Sequence, residues 1–425
     1  MVGYSVALLT AFASSLQSPS PVSVHPSTKP GVRAFAAVGA FEAVTRGIAL
    51  SVYPLLMYRA WGDAAVVSQQ YFVVGVLSLV MGLSVPMLTR HLPRRWVYTL
   101  GAVLYVVSAL LGMVGGKVTT LALLCHVMAT ATVFVCFNAY VLDNLERADF
   151  GRLESLRLVF GGFGWTIGPV LGVWLVRFWP GAPFIIVGVA SLGMLSAFWW
   201  LRVAHGRVSA LADSASANPY SILRRFVVQP RLVAGWLFVV LRSCGWWVYV
   251  VYLGIFAVQS GLGDQVGGIA SSLANMGLFM APLMLRWMGR RSVRHAVRTG
   301  FLVSGAIFLL AACVSPFPMA TVVLLVLASY FLVLLDVCGG LPFLMAVKPS
   351  QRTEMSAVYS SFRDVSGILT PGAAWVVLQF SPLAGVFAMA GGALLIAWLL
   401  AAHLHPELGI PGARRRRRPG RPGHA

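Results

Sequence analysis

Acidic residues are scarce in this 425-residue chain, which has 12 Asp and Glu against 32 Lys and Arg. Charged residues of both signs make up only 10% of the chain, whereas hydrophobic residues make up 58%. A water-soluble domain needs more charged surface than this. The sequence also lacks a glycine-rich nucleotide loop followed by Lys, which argues against an ATP-driven pump. The composition therefore excludes a soluble protein and predicts one that lies in a membrane.

Cysteine is also rare, and no two cysteines have the C-x-x-C spacing of a redox or zinc motif. The five cysteines, all in apolar segments, are Cys125, Cys136, Cys244, Cys313 and Cys338. We interpret them as small packing residues and predict neither disulfides nor a metal site. The sequence shows no nucleophile–base set either, so we expect no enzymatic activity and no cofactor.

Apolar sequence is abundant: runs of about 20 residues recur, the length that a helix needs to cross roughly 30 Å of hydrocarbon. We predict an all-α polytopic membrane protein with twelve transmembrane helices, numbered 1 to 12. Their predicted ranges are 34–58, 70–89, 96–115, 118–142, 156–178, 182–201, 232–257, 264–285, 297–316, 319–343, 358–380 and 383–403.

The polar segments between these runs divide the chain into five parts. We predict a disordered cytoplasmic lead at 1–31, a six-helix bundle at 32–201 and a cytoplasmic linker at 202–230. A second six-helix bundle follows at 231–404, and a basic cytoplasmic tail at 405–425.

The basic residues predict the orientation of the chain. Of the 32 Lys and Arg, 27 lie in the N-terminal region, alternate short loops, the linker and the tail, and only Arg59, Lys117 and Arg177 lie in the opposite loops. By the positive-inside rule both termini are cytoplasmic, and we expect an integral protein of a bacterial inner membrane. The arginine-rich tail then contacts anionic membrane lipids, and we expect no nucleic acid as a partner.

The two six-helix parts repeat each other at an offset of 196 residues. Arg46 corresponds to Arg242, Val52 to Val248 and Tyr53 to Tyr249. Two basic loops align at the same offset, and their candidate gating residues are Arg90, Arg94, Arg95, Arg286, Arg290 and Arg291. We interpret the chain as one unit used twice.

Ionisable residues inside membrane helices are costly and are therefore functional candidates. They are Glu42 and Arg46 in helix 1, His126 in helix 4, Arg242 in helix 7 and Asp336 in helix 10. Each has a structural alternative. Glu42 and Arg46 either pair within one helix or bind substrate and protons, and His126 is either a packed histidine or a proton carrier. Arg242 and Asp336 lie at similar depth, so they can form either a static or a switchable ion pair.

Polar and aromatic residues concentrate on the same four helices. We predict that Arg46, Tyr53, Asn138, Arg242, Trp246 and Tyr249 bind substrate, and that Glu42, Asp336 and His126 couple transport to protons. The two arginines favour a substrate with a carboxylate or phosphate, because the guanidinium offers forked donors.

Two motifs resemble those of the major facilitator superfamily of secondary transporters. The loop after helix 2, Pro86-x-x-x-Arg90-His91-x-Pro93-Arg94-Arg95, is similar to the family pattern G-x-x-x-D-R-x-G-R-R, with Arg90 in place of the Asp. Helix 5 carries Gly164-x-x-x-Gly168-Pro169-x-x-Gly172, similar to the G-x-x-x-G-P-x-x-G-G motif of antiporters, with Val173 in place of the last Gly.

This resemblance covers roughly residues 34–403 and implies two six-helix halves whose helices 1, 4, 7 and 10 line a central cavity. It implies a monomeric, alternating-access transporter of a small molecule, and the helix 5 motif favours efflux. We predict proton coupling because Asp336 or Glu42, as buried carboxylates, can carry the proton. Two alternatives stay open: uptake of an organic anion, and a membrane sensor or assembly scaffold that does not transport.

Overall fold

The computed structural model describes residues 32–144, 150–204, 219–289, 291–347 and 352–404. Within these ranges every regular element is helical. The predictions for 1–31, for 405–425 and for most of the linker lie outside the described residues. We call the end of the molecule that holds residues 32, 92, 230 and 404 the terminal end, and the opposite end, which holds residues 62, 116, 180, 262, 316 and 381, the distal end.

The first half consists of six long helices. Helix 1 is Val32–Trp61, helix 2 Ala64–His91, helix 3 Arg94–Val114, helix 4 Thr119–Asn144, helix 5 Phe150–Val176 and helix 6 Ala182–Ala204. A short 3-10 turn, Gly116–Val118, leads into helix 4, and the Asp63 carboxylate caps helix 2 by accepting a hydrogen bond from the Ala65 amide.

The second half also has six helices, and four of them are interrupted. Helix 7 is Pro230–Trp247, a π-helical segment Val248–Leu253 and Gly254–Gln259; helix 8 is Asp264–Met276, a 3-10 segment Gly277–Met280 and Ala281–Gly289. Helix 9 is Val293–Cys313, and helix 10 is Pro318–Cys338 followed by Leu341–Ala346. Helix 11 is Arg352–Ser360 and Phe362–Leu378, and helix 12 is Ala384–Leu400 with a 3-10 turn, Ala401–His403.

Eleven of these helices are long and apolar enough to cross a membrane. The break at Ser361 leaves helix 11 with a longer segment of 17 residues, which at about 1.5 Å per residue spans roughly 26 Å. The twelve-helix prediction therefore matches the helices observed, and their bounds differ from the predicted ones by a few residues.

The linker contains a helix that the sequence analysis did not predict, Pro219–Val227, which we call the linker helix. At nine residues it is too short for a membrane span. The interruptions were also not predicted, although Gly339 and Gly340, at the break in helix 10, are the residue type that most weakens a helix.

The two halves meet along two pairs of helices, 2 with 11 and 5 with 8. Within the first half, helix 1 packs on helix 5 and helix 3 on helix 4; within the second, helix 7 packs on helix 11 and helix 9 on helices 10 and 12. This arrangement places helices 1 and 7, with their arginines, near the middle of the molecule.

Helices 1 and 5 approach so closely that only glycine fits between them. A Cβ atom on Gly168 would lie 2.4 Å from the carbonyl carbon of Gly47, and one on Gly164 would lie 2.7 Å from the Ala43 oxygen. The antiporter-like motif of helix 5 thus forms a backbone contact with the helix that carries Glu42 and Arg46.

All five cysteines are free thiols. Cys136, Cys244 and Cys338 are buried and Cys125 is half-buried, as packing residues should be, but Cys313 at the distal end of helix 9 is exposed.

Candidate functional site

Arg242 and Asp336 form a buried ion pair between helices 7 and 10. Arg242 Nε lies 3.0 Å from Asp336 Oδ1, and the two side chains are 3% and 1% exposed. The N–H of Arg242 is not aligned with the carboxylate well enough to form a hydrogen bond. The attraction is therefore ionic, and two opposite charges that are both out of water must balance each other.

Neighbouring aromatic rings complete the surroundings of this pair. Trp246 donates its indole N–H to the Asp336 carboxylate, 3.1 Å from Oδ2 and 3.3 Å from Oδ1. The guanidinium carbon of Arg242 lies 5.4 Å from the centre of the Phe362 ring. An indole donor on the anion and a ring face on the cation stabilise both charges without adding another charge.

In the first half Arg46 is the residue that corresponds to Arg242, but its carboxylate partner, Glu42, lies on the same helix. Arg46 Nη1 lies 3.3 Å from Glu42 Oε1 within helix 1, and the arginine side chain is 29% exposed. Its guanidinium carbon lies 5.1 Å from the Trp165 ring of helix 5. Among the described residues, each half therefore carries an arginine that is paired with a carboxylate and packed on an aromatic ring. Arg46 is partly exposed while its partner Glu42 is buried, whereas both members of the second pair are sealed.

His126 lies in a pocket of tyrosines in the first half. Its ring centre is 5.2 Å from that of Tyr53 and 5.0 Å from that of Tyr105. The Nδ1 atom is buried without a hydrogen-bond partner among the described residues. A buried polar atom without a partner is costly, so this nitrogen is available to a substrate, a water molecule or a proton.

The other predicted substrate residues are placed less centrally. The Tyr53 hydroxyl is 2.5 Å from Ser108 Oγ, and the Tyr249 hydroxyl donates to the Leu325 carbonyl, so both hydroxyls are engaged inside the protein. Asn138 is half-buried on helix 4, twelve residues or roughly 18 Å along the helix from His126. The structure therefore groups Tyr53 with His126, and Trp246 with Asp336, but separates Asn138 from both.

Trp165, Phe362 and Tyr105 belong to the site, and the sequence analysis did not select them. They lie on helices 5, 11 and 3, outside the four helices on which ionisable residues drew attention. Guanidinium groups favour ring faces, but nothing in the sequence distinguishes these three residues from the other aromatic residues of the chain.

The predicted gating residues lie at the terminal end. Arg90 and Arg286 are exposed, while Arg94 lies over the Tyr140 ring and Arg95 over Trp96, with guanidinium-to-ring distances of 5.8 and 5.9 Å. Arg291 Nη1 contacts His295 Nε2 at 2.8 Å, and Arg290 lies outside the described residues. Arg94, Arg95 and Arg291 thus contact aromatic side chains of their own half.

The two halves are joined by polar contacts at the distal end. Arg59 pairs with Asp264, the Tyr252 hydroxyl donates to Ser68 Oγ at 2.9 Å, and the Val170 amide donates to Ser272 Oγ at 3.1 Å. A cavity of about 10 Å³ between helices 1, 5, 7 and 8 has room for roughly one water molecule. The distal end is therefore closed in this conformation.

Within the described residues no group of three His, Cys, Asp or Glu side chains could hold a metal ion. The site offers charges, ring faces and hydrogen bonds, which are the means of binding and releasing a solute rather than of covalent chemistry.

Comparisons with known proteins agree with this description. The family model of the Major Facilitator Superfamily matches residues 35–344. The crystal structure of the nucleoside transporter NupG is similar with a TM-score of 0.66 at 13% identity, covering 88% of this chain and 99% of that one. That of PepTSo, a POT family transporter, is similar with a TM-score of 0.66 at 11% identity, covering 88% and 97%. No curated protein matches the sequence.

The family match spans most of the chain, and the solved structures share its fold over nearly their whole length. Together with the apolar helices, they indicate an integral membrane protein that transports a small molecule and is not an enzyme. The chain belongs to the major facilitator superfamily.

Proposed function

We propose that this protein is a proton-coupled secondary transporter that works by alternating access and carries a small organic anion. The observation that carries the proposal is the sealed ion pair of Arg242 and Asp336, at 3.0 Å, between two helices at the centre of the molecule. A buried ion pair adds little to the stability of a protein, since apolar residues of similar volume often stabilise the fold equally well. A role in the transport cycle explains why this chain has the pair of Arg242 and Asp336.

The pair can couple protons to substrate by competition for Arg242. While Asp336 is ionised, it neutralises the arginine. Protonation of Asp336 removes that neutralising charge, and a substrate carboxylate or phosphate can then take its place on the guanidinium. The indole N–H of Trp246, which now donates to Asp336, is free to donate to the same substrate anion.

Arg46 provides a matching contact from the other half. It is the more accessible of the two arginines, and helix 4 of the same half carries His126, whose Nδ1 has no hydrogen-bond partner among the described residues. A solute held by Arg46 on one side and Arg242 on the other would draw the two halves together around itself. Glu42 and His126 are the remaining proton-coupling candidates.

Two features bear on the direction of transport, and they point in opposite directions. The Gly164, Gly168 and Pro169 motif of helix 5 resembles that of antiporters and lies where helices 1, 5 and 8 meet, which favours efflux across a bacterial inner membrane with both termini in the cytoplasm. Competition for Arg242 instead lets a proton on Asp336 and the substrate anion bind together, which favours uptake of the anion with protons. The fold is shared with a nucleoside transporter and a POT family transporter and is compatible with either direction.

The experiment begins with a ligand screen by thermal shift on the purified protein, since a ligand that binds the folded state raises its apparent stability. Flux of the ligand found is then measured in reconstituted vesicles with an imposed pH gradient, in both orientations. Asp336→Asn should still bind and exchange the ligand but should not concentrate it. The matched control is Asp63→Asn, which exchanges a carboxylate for an amide at a helix cap where Asn serves equally well.

If Asp336→Asn concentrates the ligand as the unchanged protein does, Asp336 is not the coupling carboxylate. Accumulation of the ligand on the side from which protons flow supports efflux by exchange, whereas accumulation on the side toward which protons flow would show uptake.

A further inference from the structure

The linker helix Pro219–Val227 presents an apolar and basic surface at the terminal end. Leu223, Val227 and the following Val228 are 49%, 61% and 71% exposed, and Arg224 and Arg231 beside them are exposed as well. Arg225 interacts with other parts of the chain, so the cations that define this surface are Arg224 and Arg231. Large apolar side chains that alternate with exposed cations are unusual on a surface that meets only water.

The linker helix lies directly beside a membrane-spanning helix, and this determines what its exposed side chains contact. Only Val228 and Gln229 separate it from helix 7, which begins at Pro230, and the amides of Leu232 and Val233 bond to the Gln229 carbonyl. The linker helix is thus attached to the very end of a membrane-spanning helix, at the depth of the lipid headgroups. An amphipathic helix at this depth buries its apolar side among the acyl chains and holds its cations against anionic headgroups.

The opposite side of the linker helix is tied into the protein by Phe226. This side chain is buried, and its ring centre lies 6.3 Å from that of Phe343 in the last segment of helix 10. Phe343 stacks on Tyr359 of helix 11 at 4.0 Å with an interplanar angle of 19°. Tyr359 lies 5.7 Å from Phe362.

The last ring of this series touches the buried ion pair, because the guanidinium carbon of Arg242 lies 5.4 Å from the centre of Phe362. A continuous row of four rings therefore leads from the linker helix to Arg242. We call the rings of Phe226, Phe343, Tyr359 and Phe362 the aromatic row.

The aromatic row crosses the places where helices 10 and 11 are interrupted. Phe343 follows the break at Gly339 and Gly340, and Tyr359 and Phe362 flank Ser361, whose hydroxyl accepts a hydrogen bond from Trp236. The backbone of Phe343 is pressed against helix 7, since a Cβ atom on Gly235 would lie 2.9 Å from its Cα. The aromatic row thus contacts two short segments, Leu341–Ala346 and Arg352–Ser360, which the breaks separate from the long segments of helices 10 and 11.

We propose that the linker helix binds anionic phospholipid of the surrounding membrane and that the aromatic row transmits this binding to Arg242 and Asp336. The partner is a lipid with a negatively charged headgroup, recognised by Arg224 and Arg231 together with the apolar side of the helix. The proposal does not depend on the direction of transport or on the coupling role of Asp336, and its test requires no transported substrate.

The test is hydrogen–deuterium exchange on the full-length protein in nanodiscs of phosphatidylcholine, or of an equimolar mixture with phosphatidylglycerol. All variants carry Gln at 414–418, so that the basic tail does not contribute. Phosphatidylglycerol should slow amide exchange in 219–229 and also in 341–346 and 352–361. The double variant Arg224→Gln and Arg231→Gln should lose the slowing in all three segments, and Arg224→Lys with Arg231→Lys should retain it.

The control variant Arg286→Gln with Arg291→Gln removes two cations from the same end of the molecule and should keep the full effect. Phe226→Leu keeps the cations and an apolar side chain, so it should keep the slowing in 219–229 and lose it in 341–346. An equal effect of phosphatidylglycerol in the Arg224 and Arg231 double Gln variant would overturn lipid binding by the linker helix. Full slowing in 341–346 in Phe226→Leu would overturn transmission through the aromatic row.

Discussion

At the scale of single residues, the ion pair of Arg242 and Asp336 leads us to expect that a single replacement destabilises the protein more than replacement of both residues. Replacing Asp336 by Leu leaves Arg242 buried without a counter-charge, which should cost about 3–5 kcal/mol of unfolding free energy. Replacing both residues, Arg242→Met with Asp336→Leu, removes the uncompensated charge and should cost less than the single change. Thermal unfolding of the purified variants in detergent shows which of the two is less stable. A double variant as unstable as Asp336→Leu would mean that packing, and not charge, holds this site.

The two arginines lead to a second prediction because a guanidinium and an ammonium differ in shape but not in charge. Arg46→Lys and Arg242→Lys should each reduce transport strongly while the protein stays folded, since Lys lacks the planar fork that holds a carboxylate or phosphate. Arg298→Lys is the matched control, because Arg298 also lies over a ring, Trp398 at 5.2 Å, but on helix 9. Transport of the ligand and thermal unfolding are measured for all three. Unchanged flux in both site variants would make Arg46 and Arg242 structural counter-ions.

At the scale of elements, glycine decides how closely helices 1 and 5 can pack. Gly168→Ala places a Cβ atom 2.4 Å from the Gly47 backbone, so the helices must separate, and the overpacking should cost roughly 1–3 kcal/mol. Gly161→Ala on the same helix meets no atom within 4 Å and should be neutral or slightly stabilising, since Ala favours a helix. The measurement is the unfolding temperature of each variant. Equal unfolding temperatures would show that this contact is not tightly packed.

The sequence predicted the number and length of the helices because a membrane crossing demands a long apolar run. It did not predict the linker helix, the breaks in helices 10 and 11 or the π-helical segment of helix 7. The length of an apolar run does not reveal these features. Gly339 and Ser361 lie at breaks between helical segments without ending the apolar run, and the linker helix is too short to span a membrane.

The members of the candidate site could be selected from the sequence only in part, and their roles stay predictions. Buried charges are costly wherever they occur in a membrane helix, so Glu42, Arg46, Arg242 and Asp336 could be selected from the sequence. Equal depth suggested that Arg242 and Asp336 could pair, and the structure places them 3.0 Å apart. Trp165 and Phe362 could not be selected, because nothing in an apolar sequence tells which of 24 Phe and 13 Trp faces a guanidinium.

At the scale of the whole molecule, the orientation in the membrane is open to direct labelling. We expect Gln259→Cys, at the distal end, to react from outside intact cells with a membrane-impermeant maleimide. Arg224→Cys, on the linker helix, should react only after the cells are opened. Both are made in a Cys313→Ser background, because Cys313 is itself exposed. Gly62 and Gly263 are poorer labelling positions, since their φ angles of 71° and 86° would strain a cysteine. Labelling of Arg224→Cys in intact cells would reverse the predicted topology.

The polar contacts at the distal end bear on the transport cycle. Arg59 with Asp264, Tyr252 with Ser68 and Ser272 with Val170 all connect one half to the other. For a solute to pass the distal end, these contacts must separate together. The pair of Arg59 and Asp264 is partly exposed and contributes at most about 1 kcal/mol, so this contact alone does not hold the distal end closed.

The π-helical segment Val248–Leu253 means that helix 7 contains a surplus residue. A π-helical turn closes its hydrogen bond one residue later than an α-helical turn. Residues on the two sides of the segment are therefore rotated relative to each other, compared with a continuous α-helix. Removing Val250 would let helix 7 become regular. With Tyr252 held at Ser68, the part that carries Arg242 would then turn by about 100°, the rotation of one residue, away from Asp336. The deletion should therefore fold as a helix yet transport no better than a protein without the arginine, which flux and circular dichroism together can show. In this chain, the position of the buried Arg242 charge therefore depends on the number of residues in helix 7 as well as on which residues they are.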